Sequence, residues 1–187
     1  MTTWTAKAQN DLLFIEDFEN GTSLPAGWTT EGGGLWLIGV GDDGGTTPGT
    51  GHGAQNIYYR NTYSASANVK LITPVIDLSN ATNAELSFMH LMRRRWWDNG
   101  LDQMRVYYRS TQNDYWTLLR AYTDEIPDWT TDCIFLPNLS SIYQICFEVR
   151  NYVGLGTAID YVRINEVSCP TLYNISVYAS DTIAEMS

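Results

Sequence analysis

The chain has 187 residues, of which 44% are apolar, 13% aromatic and 17% charged, with a net charge of −10. This is enough apolar material for one domain with a real core, so global disorder is excluded, and the low charge with many Trp and Tyr suits strands better than a helical bundle. The acidic balance opposes nucleic-acid binding, and 3 Cys without a CxxC pair and 2 His leave no zinc-finger or iron–sulfur theme.

Taken in chain order, period-two alternation dominates. An early strand carries Phe14 to Asn20. Leu35 to Val40 is the longest apolar run, far short of the roughly 20 residues a membrane-spanning helix needs, so no membrane insertion is expected. From Gly39 to Gly53 the chain reads GVGDDGGTTPGTGHG. That stretch is either a long mobile loop or a backbone-rich loop wrapped around an ion or ligand. Val69 to Leu78 is extended but broken at Pro74, which suits an edge or a bend. Strands are then expected over Glu85–His90, Gln103–Arg109, Tyr115–Leu119, Asp132–Leu136, Tyr143–Arg150 and Ala158–Ile164, with turn residues between them. No segment holds a helical period beyond about two turns. Some ten short strands spaced in this way predict an all-β sandwich or barrel. Leu172 to Tyr178 reads as one more strand, after which the sequence stops.

Three anchors occur in order. The first is Phe14-Ile15-Glu16-Asp17-Phe18-Glu19-Asn20 with Leu24-Pro25-Ala26-Gly27-Trp28. The second is Leu71 to Ser79 with Ala84-Glu85-Leu86-Ser87-Phe88. The third is Phe147-Glu148, then Gly156 to Ile164, closed by Cys169-Pro170. Over residues 13 to 170 this pattern resembles the cleaved-adhesin family of Bacteroidetes surface proteins, also called choice-of-anchor J domains, and more distantly the MAM domain. The resemblance implies a jelly-roll β-sandwich of two antiparallel sheets, non-catalytic, secreted or cell-surface, calcium-stabilised and part of a longer multidomain chain. Residues 1–12 would be a lead-in, and 171–187 the entry to a truncated fibronectin type III-like neighbour. The absence of an apolar leader after Met1 is then expected of a piece of a longer secreted chain.

The resemblance also implies a Ca²⁺ site. Asp17 and Glu19 share a strand face, and the family pattern places Asp160 close by. Converging carboxylates with carbonyls from a glycine-rich loop suit a cation that takes six to eight oxygens. His52 and neighbouring glycines would supply carbonyls, and Asp43, with Asp42, carboxylates. The alternative is a set of solvated surface acids.

Arg93-Arg94-Arg95-Trp96-Trp97-Asp98-Asn99-Gly100 is the most unusual chemistry in the chain, and its insert Arg93 to Trp97 does not place on the family pattern. Cations beside indoles can form an Arg–Trp stack. Arg94, Trp96, Trp97 and Asp98 are the candidate ligand surface, for a glycan or a host or surface protein. The competing reading buries one Trp and pairs the arginines with Asp98 and Asp102. Tyr58, Tyr59, Tyr107, Tyr108, Trp116 and Trp129 read as sandwich core and rim. Cys133 and Cys146 flank an expected hairpin near Pro137 to Ser141, and are either a cross-strand disulfide or two reduced thiols. No catalytic motif appears. Three functions compete: an adhesion or carbohydrate-binding module, a structural spacer or virion or filament decoration domain, and a small glycoside hydrolase. The last would use two of Asp98, Asp102, Glu125 and Glu148 across a groove.

Overall fold

Alternating sequence becomes two stacked sheets. The computed structural model describes residues 11–33, 35–45, 48–60 and 68–167. Its strands are β1 (Leu12–Glu16), β2 (Thr29–Glu31), β3 (Leu35–Gly39), β4 (Asn56–Arg60), β5 (Asn68–Ile72), β6 (Ala84–Met92), β7 (Gln103–Arg109), β8 (Thr117–Tyr122), β9 (Ile126–Leu136), β10 (Gln144–Arg150) and β11 (Thr157–Glu166). Among the described residues there is no helix. One sheet has the order β3-β4-β11-β6-β9 with β1 also on β11, and the other β2-β5-β10-β7-β8. All pairs are antiparallel. The expected jelly-roll sandwich is therefore the fold.

The alternation explains the layers. Leu86 and Phe88 of β6, Met104 and Val106 of β7, Ile145, Phe147 and Val149 of β10, and Ile159, Val162 and Ile164 of β11 are buried between the sheets. Phe88 meets Phe147 edge-on across them, with ring centroids 5.1 Å apart. β5 stops before Pro74, as a missing N–H requires. β2, β3 and β4 were not explicit in the sequence reading. β2 is three exposed residues, and β4 reads as an apolar run because Ile57 and Tyr59 enter the core while Tyr58 lies against Gly39.

The hairpin expected between Cys133 and Cys146 does not form. β9 lies in the first sheet and β10 in the second, so Pro137 to Tyr143 crosses between layers. Each cysteine points away from the core, as its alternation with Ile134 or Ile145 predicts, but on opposite outer faces. Both thiols are free, Cys133 exposed and Cys146 buried. Cys169 and the segment from 171 to 187 lie outside the described residues.

Two features place the functional residues. Met92 opposes both Thr157 and Ile126, and Arg150 opposes Gln103. The connections 93–102, 123–125 and 151–156 therefore gather at one end of the sandwich. On β11, the flanking partner changes from β4, at Ala158 and Ile159, to β1, at Val162 onward. Asp160 sits at that change, beside a register shift in the pairing with β6.

Candidate functional site

At the loop end, the run of arginines and tryptophans borders a cleft of about 300 Å³, lined by Asp43, Gly44, Arg93, Arg95, Trp96, Trp97, Gly154 and Leu155. Trp96 is 82% exposed and Trp97 53%. Their rings are 5.0 Å apart and at 85°, so they form a corner rather than a flat platform. The burial of one Trp, expected on the competing reading, does not occur.

The arginines are held one by one. Arg95 is 7% exposed, forms a two-point ion pair with Asp98, and places its guanidinium 4.9 Å from the Trp97 ring centre. That pair holds the Asp98 carboxyl below its ordinary range. The backbone N–H of Arg94 donates to Glu125 Oε1 at 2.9 Å, and its guanidinium donates to the Asn99 carbonyl at 2.8 Å. Arg93 reaches across the chain to Asp42, with Nε and Nη2 donating at 2.6 and 2.7 Å. The Asp42 side chain is fully buried. Asp102, expected as an arginine partner, instead accepts from the N–H groups of Tyr152 and Gly154 at 2.8 and 2.9 Å. Burial raises its carboxyl above the usual range. Gly154 is required there, because a Cβ would lie 2.7 Å from the Asp102 backbone nitrogen.

The second polar cluster is at the β4-to-β1 change on β11. The Glu19 carboxylate accepts from Ala54 N and Gln55 N at 2.7 and 3.0 Å. Asp160, fully buried, accepts from His52 N and from Tyr161 N, both at 2.7 Å. Glu19 and Asp160 therefore grip the same turn. Gly53 has a φ of +61°, and a Cβ there would lie 2.2 Å from Glu19 Oε1. Burial pushes the Asp160 carboxyl up to about 6, against the lowering effect of its backbone donors. The His52 ring stacks on Tyr161 at 3.9 Å, with the Arg163 guanidinium 4.4 Å from the Tyr161 ring centre.

The structure thus places Glu19 and Asp160 on one turn, where His52 presents its N–H to Asp160 rather than the expected carbonyl. It gives Asp17 a local role, accepting from Glu19 N at 3.2 Å. Asp43 is placed at the cleft, not beside Glu19: its N–H donates to the Leu155 carbonyl, and its carboxylate lies 3.8 Å from Arg60. Among the described residues no group of three or more His, Cys, Asp or Glu side chains forms a metal cluster. The carboxylate oxygens of Glu19 and Asp160 are hard donors of the type a hard cation takes, and the turn between them presents N–H groups to both.

Nothing in the sequence marks Arg93 and Asp42 as a pair. They are 51 positions apart, and no spacing rule connects them. Leu155 likewise enters the cleft only because 151–156 returns to the same end.

Each of the four carboxylates that could serve hydrolysis already has partners in the protein. Asp98 and Glu125 hold arginines, and Asp102 holds a backbone turn. Glu148 sits on the outer face of the other sheet, accepting from the Tyr107 hydroxyl at 3.2 Å.

No family model and no curated protein sequence matches the chain. Solved structures do. The K1 cleaved adhesin domain of Lys-gingipain from Porphyromonas gingivalis is 22% identical with a TM-score of 0.59, over 81% of this chain and 96% of that domain. The K3 cleaved adhesin domain of the same protein is 20% identical with a TM-score of 0.61, over 84% and 99%. The CBM22-1 xylan-binding domain of Paenibacillus barcinonensis Xyn10C is 16% identical with a TM-score of 0.54, over 88% and 99%. The chain therefore has the fold that cleaved adhesin domains share with carbohydrate-binding modules.

Proposed function

We propose that this chain is a non-catalytic carbohydrate-binding or adhesion module of a larger secreted or cell-surface protein. The observation that carries this reading is the exposed Trp96–Trp97 corner over a cleft lined by guanidinium and carboxylate groups. Leaving an indole in water forfeits burial of roughly 1.5–3 kcal/mol, so two side by side mark a contact surface rather than chance exposure. An indole face receives the C–H side of a sugar ring, while Arg and Asp groups bond its hydroxyls. The adhesin and carbohydrate-binding domains with this fold support the same reading.

A structural calcium ion belongs to the proposal. Glu19, Asp160 and carbonyls of the turn between them would hold it. It would supply the positive charge that the buried Asp160 carboxylate lacks, and tie the end of the β1 segment to β11. It takes no part in ligand chemistry.

Two experiments test these statements. Isothermal titration of the chain with oligosaccharides should give binding that is lost in Trp96→Ala and Trp97→Ala without a change in thermal stability. Binding unchanged in both variants would move the site elsewhere. Thermal unfolding with Ca²⁺ and with EDTA, backed by metal analysis, tests the ion. An identical midpoint and no bound metal would remove calcium from the proposal.

A further inference from the structure

The charge of the cleft decides what kind of ligand it takes. The chain carries −10 overall, yet the cleft is balanced. Asp42 is paired with Arg93, Asp43 with Arg60, and Asp98 with Arg95. Each guanidinium at the wall is matched by its own carboxylate.

Resting on the carbohydrate-binding reading above, we propose that the Trp96–Trp97 cleft selects an uncharged sugar ring, and disfavours both acidic sugars and cationic ligands. An acidic sugar needs a guanidinium that can turn to it. Arg93 and Arg95 are each committed through Nε and Nη2 to an aspartate. Diverting Arg93 would leave the buried Asp42 carboxylate uncompensated, which the interior opposes strongly. A cationic ligand would use the Trp faces, but the Arg95 guanidinium already occupies one face of Trp97, and its charge repels a second cation beside it. What remains suits hydroxyl groups. Arg93 keeps three N–H donors beyond its pair with Asp42, and Trp96 offers an exposed ring. Gly44 and Gly154 line the wall without side chains. The volume, about 300 Å³, is at the lower bound of small-molecule sites, so one ring or a chain end fits rather than a long stretch.

The test is calorimetric titration of the chain with neutral hexasaccharides (cello-, xylo-, manno- and chito-series) and with acidic ones (oligogalacturonate, sialyllactose, a sulfated oligosaccharide). Titrations are repeated in Trp96→Ala, whose exposed side chain makes it a safe variant for folding. The expected result is binding of a neutral series, weakened at least about tenfold in the variant. The affinity should change less than about twofold between roughly 0.05 M and 0.5 M NaCl, because no net ion pair forms. A preference for an acidic series, or a steep loss with salt, overturns the neutral-ligand inference while keeping the carbohydrate-binding reading. A neutral sugar bound equally by Trp96→Ala overturns the inference at this cleft. No binding of either series overturns both.

Discussion

The two polar regions of this sandwich differ in whether guanidinium groups reach their carboxylates. At the loop end, the buried Asp42 and the exposed Asp98 meet guanidinium groups, of Arg93 and Arg95, while the buried Asp102 accepts from backbone N–H groups. At the β11 junction, Glu19 and Asp160 meet backbone N–H groups, and among the described residues neither forms an ion pair. Carboxylates satisfied only by neutral donors resist ionisation when buried, as the upward displacement of Asp160 shows. The first region has exposed indole surface to spare for a ligand. On the calcium proposal, a cation would add the positive charge that the second lacks.

This contrast is sharpest at Arg93. Arg93→Ala leaves Asp42 buried and unpaired, so equilibrium unfolding should show a loss of about 3–5 kcal/mol. A loss under 1 kcal/mol would mean that the pair does not support the cleft. The double variant Arg93→Ala with Asp42→Ala should recover much of that loss.

At the junction, the expected gain from a cation is smaller. At a free Ca²⁺ concentration a hundredfold above Kd, stability should rise by about 2.7 kcal/mol. Asp160→Asn should abolish that rise. Persistence of the Ca²⁺ effect in this variant would place any ion elsewhere and end the contrast between the regions.

Acidification probes the core between them. His90 is 1% exposed and lies 4.5 Å, ring to ring, from Tyr122. Burial lowers its imidazole to about 4 from 6.5, with Asp132 opposing and Arg120 reinforcing the shift. A group depressed in the folded state favours folding while neutral. Its contribution is present above pH 6.5 and is lost as pH falls toward 4, by up to about 3 kcal/mol at 1.36 kcal/mol per pH unit. His90→Gln should flatten that part of the pH–stability curve. An unchanged slope would assign acid sensitivity to the loop regions instead.

The smallest of these effects is expected at Gly53. Gly53→Ala puts a methyl against Glu19 Oε1 at a φ of +61°, and should cost about 1–3 kcal/mol while also weakening the Ca²⁺ effect. Sugar binding at the Trp corner should not respond to it. A response there would show that the two regions are coupled.

Much of this was legible in the chain. Gln103–Arg109 alternates cleanly and is a strand with those same limits. Local order also showed that Arg95 and Asp98 are close enough to pair, and that Trp96 and Trp97 stand out chemically. The errors arose where the chain changes sheets. Cys133 and Cys146 look like hairpin partners because alternation says which face a residue takes but not which sheet the strand joins. Asp43 looked like a cation ligand because it lies in the same glycine-rich loop as His52. That loop divides, with its 42–45 turn going to Arg93 and Leu155 and its 52–55 turn to Asp160 and Glu19.

The sequence by itself determined the strand type, the core faces and the unusual Arg–Trp segment, since these follow from period-two side-chain geometry and from residue chemistry. Only the tertiary structure decided which acid meets which base. Pairing across 51 positions depends on sheet order and on where three connections converge, and no local periodicity encodes either. The same convergence made the Trp corner an exposed rim above a balanced cleft, and left Asp160 among backbone donors at the change from β4 to β1.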